Sequence, residues 1–292
     1  MANLKNLKLR IKSVKNTQKI TKAMKMVAAS KLKRAVERAQ SARPYAEKME
    51  RMLAALAGNV PAENAPPLLV GRKEDKTHLI IVATADKGLC GGFNSSIVKG
   101  VKEQVKTRLA QGQEVKLLLI GRKGYEQIRA LYRDRIVHRI STLEFRQPQY
   151  GTAEEAAHHA IAMFERGEID SCTIIYNKFV NALTQKVTVH PLIPQELPSV
   201  KEPSHAAESV YEYEPEEEEV LKRLLPLNIA TQAYRALLEN AASEQGARMT
   251  AMDSATRNAG QMINKLTLVY NRTRQATITK ELIEIISGAE AL

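Results

Sequence analysis

"NTQKITKAMKMVAASKLKRA", Asn16 to Ala35, is dense in Lys and Arg and holds no acid, no Gly and no Pro. On charge alone it fits a nucleic-acid arm, a membrane-surface helix, an organellar targeting peptide or a helix that meets an acidic partner. The spacing around it is more selective. Leu4, Leu7, Ile11 and Val14 recur at steps of 3, 4 and 3, and the same lattice runs on through Gln18, Thr21, Lys25, Ala28, Leu32, Ala35, Ala39 and Ala42. A period of about 3.5 residues is that of a coiled-coil seam, here with a polar middle. Ile20, Met24 and Val27 fall off that lattice and predict apolar surface turned towards something other than the main helical partner. Because the periodicity continues unbroken to residue 42, the segment reads as a retained structural helix and not as a presequence. Pro44 interrupts it, and a helical pattern resumes from Tyr45 to about Leu56.

The other end of the chain carries a matching pattern. Residues 227 to 292 contain no Pro and three Gly, and from Met252 the seam reads Ala255, Ala259, Met262, Leu266, Val269, Thr273, Ala276. Two seams of equal period at opposite ends can pair, and the intervening chain makes the pairing antiparallel. At 1.5 Å per residue the first helix spans roughly 60 Å and the last roughly 90 Å, so the longer one overhangs. The overhang, "QATITKELIEIISGAEAL" from Gln275, places Ile278, Leu282, Ile283, Ile285 and Ile286 where no intramolecular partner reaches. A bare helix this apolar requires a sleeve from another protein.

Between the helices lie short β-branched runs, "THLIIVAT" (77–84), "VKLLLI" (115–120) and "SCTIIYNKFV" (171–180), with weaker strands at 135–140 and 185–192. Helical patterns at 95–110, 124–131 and 153–166 alternate with them, which implies a small, mostly parallel sheet. The expected fold class is α/β plus a long antiparallel coiled coil, with N- and C-terminal helices flanking a Rossmann-like domain. The expected segments are a helix and its continuation over 1–58, a linker over 59–76, the α/β domain over 77–193, an acidic and Pro-rich loop over 194–225, and the last helix over 226–292. The acidic run at 216–219 reads as the solvated start of that helix.

Composition limits the function. Residues 1 to 44 carry 13 Lys and Arg against Glu37 alone, which accounts for the whole net charge of +12. The charge therefore has a local task. Cys90 and Cys172 are too few and too far apart for a disulfide framework and read as buried small residues in a reducing compartment. No run approaches 18 apolar residues. "ATADKGLCGGFNSS" (83–96) stands where a phosphate loop would stand, after a strand and before a helix, yet Lys87 precedes the glycines instead of following them, so it reads as a turn or a partner-contacting loop. "GRKG" (121–124) is a weaker turn of the same kind. His158 and His159 are neighbours whose side chains diverge by about 100° on a helix, so they do not share a metal easily. No catalytic, cofactor-binding or metal residue is assigned. With no Trp and 4% aromatic residues there is no stacking platform for nucleic acid, and a nucleic-acid-binding basic coiled coil stays as the alternative function.

Several long motifs, in order, resemble the γ subunit of bacterial F-type ATP synthases. They are "KNTQKITKAMKMVAASKLKRA" (15–35), "ARPYAE" (42–47), "DKGLCGGFN" (86–94), "NKF" (177–179), "ASEQGARMTAM" (242–252), "LVYNRTRQATITKEL" (268–282) and "EIISGAEAL" (284–292). The resemblance covers the chain from end to end. It implies a non-catalytic rotor shaft that transmits torque between a membrane c-ring and the α3β3 hexamer, where the β subunits carry the ATP chemistry, with the ε subunit as a further partner and no cofactor. It also implies roles for single residues. Lys22, Met24, Lys25 and Arg248 match the segment facing an acidic β loop. Arg274 and Gln275 match residues touching the β catch loops, Glu281 and Glu284 lie in a stretch tied to coupling, and Lys87 and Cys90 match a loop near β and ε. The expected location is the cytoplasmic side of a bacterial inner membrane, peripheral and held through partners. The inserted cysteine pair of the plant chloroplast version is absent, which argues against a thiol switch.

Overall fold

The computed structural model describes residues 4–59, 65–72, 74–142, 147–195 and 217–290. The chain forms two compact units, Ser30–Ala247 and a second made of Met1–Ala29 with Arg248–Leu292. Two long helices contribute to both, α1 (Leu4–Asn59) and α6 (Glu217–Glu290).

The larger unit is built on a five-stranded sheet: β1 (Thr77–Ala83), β2 (Glu114–Ile120), β3 (Ile136–Ile140), β4 (Ser171–Phe179) and β5 (Gln185–Ile193). Their order is β3-β2-β1-β4-β5, parallel except for the β4–β5 pair. Strand alternation divides the core in two. Ile80, Val82, Leu117 and Leu119 pack under α3 (Phe93–Ala110) and α4 (Arg122–Tyr132). Leu79, Ile81, Leu118 and Ile120 pack under α5 (Tyr150–Glu165) and under Ile229, Ala233 and Ala236 of α6. A short helix, α2 (Pro67–Val70), lies in the stretch read as a linker. Residues 60–64 and 73 of that stretch, and 196–216 of the expected loop, lie outside the described residues.

Two helix boundaries differ from the sequence reading. Pro44 does not divide α1, which continues through it. Its ring is exposed while Ala42, Ala46 and Met49 keep the seam covered, so the lost backbone hydrogen bond falls on the solvated side. α6 begins at Glu217, well before 226, with Pro226 inside. Packing outweighs the proline here, because Leu221 and Leu225 are fully buried against Met49, Leu53 and Leu56 of α1. Gln232 donates to Glu50 at 2.5 Å and Arg235 lies 3.4 Å from the same carboxylate, which fixes this antiparallel pairing within the larger unit.

In the smaller unit the predicted α1 lattice is borne out position by position. Leu7, Thr21 and Ala28 are buried and Leu4, Ile11, Val14, Gln18 and Lys25 are half-buried, while Ile20 and Val27 of the off-lattice stripe are exposed. The α6 lattice is half right. Met252 and Ala259 are buried and Ala255, Leu266 and Thr273 half-buried, but Thr256 is half-buried beside Ala255, and further along Ile263, Tyr270 and Thr277 are half-buried where Met262, Val269 and Ala276 are exposed. Met262 and Val269 are 48% and 47% exposed. A heptad fixes one row, and the alternate row can lie three or four residues on; choosing it by apolarity selected the wrong one. No helix among the described residues is long and apolar enough to cross a membrane.

Gly121 has φ +91°, and a Cβ there would stand 2.2 Å from the Thr84 carbonyl oxygen. Gly121→Ala is expected to destabilise the larger unit by at least about 2 kcal/mol, from strain in φ and displacement of β1, as read by urea unfolding.

Candidate functional site

In a sheet of this order, ligands bind at the carboxyl ends of the strands, where the winding reverses between β1 and β4. Here that crevice is stoppered by α6. The Asn240 side chain donates to the Ala83 carbonyl at 3.2 Å and accepts from the Asn177 N–H at 3.0 Å. Ser243 donates to the Asn177 carbonyl at 2.7 Å. Asn177 in turn donates to the Phe93 carbonyl at 3.2 Å and to Ser96 at 3.3 Å. Asn177, Asn240 and Ser243 are all buried.

The neighbouring loop spends its donors internally. Asn94 accepts from the Ala85 N–H at 3.0 Å and donates to the Cys90 sulfur at 3.3 Å. Asp86 accepts from the Arg122 N–H at 2.8 Å, at the start of α4, and from the Thr142 hydroxyl. The polar side chains at the two ends of this loop, Asn94 and Asp86, are thus committed within the chain. Cys90 is buried, as its reading as a small core residue expected, and the loop around it presents Lys87 and the 62%-exposed Leu89. Cys172 is buried too, and burial pushes its thiol pKa up. His78 is held between Ser171 (2.5 Å) and Thr173 (2.9 Å) and is lowered to about 3, first by burial and then by Arg108, so it remains a neutral core residue.

The remaining sequence-assigned residues lie on the smaller unit. Lys22 is exposed and Met24 half-buried beside it. Lys25 is on the seam, its ammonium 2.5 Å from Asp253. Next to that pair, Thr256 donates to Thr21 at 2.8 Å, and Gln18 donates to the Thr256 carbonyl at 3.5 Å. Arg248 is half-buried on α6. Arg274, Gln275, Glu281 and Glu284 are exposed further along the same helix, with Lys280 3.3 Å from Glu284. Ile278, Leu282, Ile283, Ile285 and Ile286 surround them, between 48% and 68% exposed. Pairing opposite α1 has ended by this point, since α1 begins at Leu4.

A protein-family model described as ATP synthase matches residues 3–292. The ATP synthase gamma chain of Pelagibacter ubique is 54% identical over 293 residues, and that of Paramagnetospirillum magneticum 53% over 294, each match covering all of both chains. This chain belongs to the γ-subunit family of F-type ATP synthases. Among solved structures, a chain from the central stalk and c-ring of the Tetrahymena thermophila mitochondrial ATP synthase is 31% identical with a TM-score of 0.60, covering 81% of this chain and 99% of that one. A rotor chain of the Euglena gracilis mitochondrial enzyme, at 17% identity and TM-score 0.66, covers 94% of this chain and 98% of its own and shares the fold. As a γ subunit the chain is a non-catalytic part of the central rotor. The plugged crevice gives that role a structural counterpart: a nucleotide-type sheet whose ligand position is filled by its own helix.

Two outcomes follow for γ. Asn240→Ala leaves the buried Asn177 N–H without its acceptor and is expected to cost about 1–3 kcal/mol in urea unfolding. The Asp253 carboxyl is held below its usual range, first by the hydrogen bond from Lys25 and then by its charge. A depressed carboxylate contributes stability that is present above the unfolded value of about 3.9 and lost as pH falls through the folded one. Asp253→Asn should therefore lower the melting midpoint at pH 7, and the difference should vanish towards pH 2.

Proposed function

We propose that this γ chain is the shaft of a proton-translocating rotary ATP synthase, turning inside a ring of three α and three β subunits. At its other end it would be held to the membrane c-ring and the ε subunit. The observation that carries this reading is the end of α6, where five large aliphatic side chains stand exposed on a helix that α1 no longer accompanies. That surface fits an apolar sleeve. The chain would reside peripherally on the cytoplasmic face of a bacterial inner membrane, attached through its partners.

In this reading Lys22, Met24 and Arg248 face an acidic loop of β, with Ile20 and Val27 supplying exposed apolar surface alongside. Lys25 takes part through its Asp253 pair, which orients it along the seam. Arg274 and Gln275 touch the β catch loops, and Glu281 and Glu284 support coupling at the tip. Lys87 and the loop of Cys90 meet β and ε, with Leu89 as the contacting side chain. ATP chemistry belongs to the β subunits.

A shaft turns freely when its contacts at successive angles are similar in energy. Exposed ion pairs of about 0.2–1 kcal/mol meet that condition, whereas a strong single contact acts as a brake. In reconstituted complexes, Lys22→Ala or Arg274→Ala is expected to slow ATP-driven proton pumping by no more than about five-fold, the equivalent of about 1 kcal/mol. Ile283→Asp, which puts a charge against the apolar sleeve, should impair assembly or pumping more than either. Complete loss of pumping in Lys22→Ala with the complex assembled would contradict the bearing role.

A further inference from the structure

β3 carries a bulge. Leu117 pairs with Ile136, but the next residue, Leu118, pairs with His138, so Val137 is the extra residue. In a regular strand positions 136 and 138 share a face. Across this bulge they do not: Ile136 packs on the α3/α4 side, whereas His138 reaches the α5 side, where Ile140 also packs. Arg139 confirms the phase, lying 4.5 Å from the Tyr125 ring of α4 on the opposite face. Bulges re-aim side chains in this way.

His138 is re-aimed onto Glu155 and His159, which stand four apart on one face of α5. The His138 Nε2 is 3.2 Å from a Glu155 carboxylate oxygen, and the rings of His138 and His159 stack with centroids 3.8 Å apart. One ligand atom from each of the three residues lies within 4.8 Å of the others. We propose that His138, Glu155 and His159 form a binding site for a divalent transition-metal ion of the zinc type, which clamps the edge strand β3 to α5.

The donor set selects the ion. Two imidazoles and one carboxylate suit Zn2+ and its neighbours, while Mg2+ and Ca2+ require oxygen ligands almost throughout. Ligands about 2.0–2.2 Å from a common centre stand about 3–3.5 Å from one another, so the three ligand atoms, now within 4.8 Å, draw together when the ion binds. Glu155 is exposed, and a water takes the fourth position. His158, adjacent in sequence, projects about 100° away and is no part of the site. The site lies outside every residue assigned a rotor contact above.

The test is titration of the untagged, chelator-treated full chain with ZnCl2 by calorimetry, above the ordinary imidazole pKa of about 6.5. Expected are one saturable equivalent of Zn2+, a raised melting midpoint, and no comparable response to MgCl2. His138→Ala and His159→Ala should each weaken binding at least about 100-fold, beyond the loss typical of an outer-shell change, with His158→Ala unchanged. Glu155→Gln keeps the size and the hydrogen bond to His138, so it reports on the ligand role even if an alanine variant unfolds. The proposal is overturned by equal binding in the His138→Ala/His159→Ala double variant or in Glu155→Gln, by loss in His158→Ala, or by a wild-type chain that binds no Zn2+.

Discussion

The pairing of the first helix with the last rests on a seam in which the covered side chains of the first recur at alternating steps of three and four. The contact is antiparallel in each unit: Met49, Leu53 and Leu56 meet Leu221 and Leu225 in one, and Thr21 and Lys25 meet Thr256 and Asp253 in the other. Small residues such as Ala28, Ala46 and Ala259 are buried along it. That continuity lets α1 pass Pro44 and α6 pass Pro226, because the packing lost by breaking either helix would exceed the single hydrogen bond that each proline removes.

The sheet domain shows how a fold can be retained while its customary use is closed off. Its strand order provides a switch point, and its first loop is rich in glycine. Yet the polar groups that would meet a ligand are met by Asn240, Ser243, Asn177, Asn94 and Asp86. A buried amide or hydroxyl without a partner is costly, and nearly all the groups of this network are paired, the buried Asn177 side-chain oxygen being an exception. Fold and function are separable here for a physical reason: the crevice is full.

Much of the architecture was legible because it is written in period. The β-branched runs at 77, 115 and 171 and the seam from Leu4 to Ala42 are signals that burial alone explains. The parts that were not legible depend on choices periodicity leaves open. Tyr270 is half-buried where Val269 looked better, and Thr256 joins Ala255 on the seam, because polar residues can line it when they bond across it. Asn177 and Ser243 stood inside recognised motifs without a role, since nothing in the sequence says that a helix more than sixty residues onward will meet that strand. His138 was passed over because its direction is set by a bulge, a register event between strands with no signature of its own. Cys90 was read as a buried small residue and is one, turned inward within its loop towards Asn94.

The polar layer of Gln18, Thr21 and Lys25 with Thr256 and Asp253 has a mechanical meaning. Purely aliphatic seams can slide by a heptad and bury nearly the same area, because every layer resembles the next. A hydroxyl pair beside an ammonium and a carboxylate has no equivalent seven residues away, so sliding would break three specific contacts at once. In the language of machines, the layer is a key in a keyway: it fixes the register of one helix along the other, where an aliphatic pair would have several nearly equal settings.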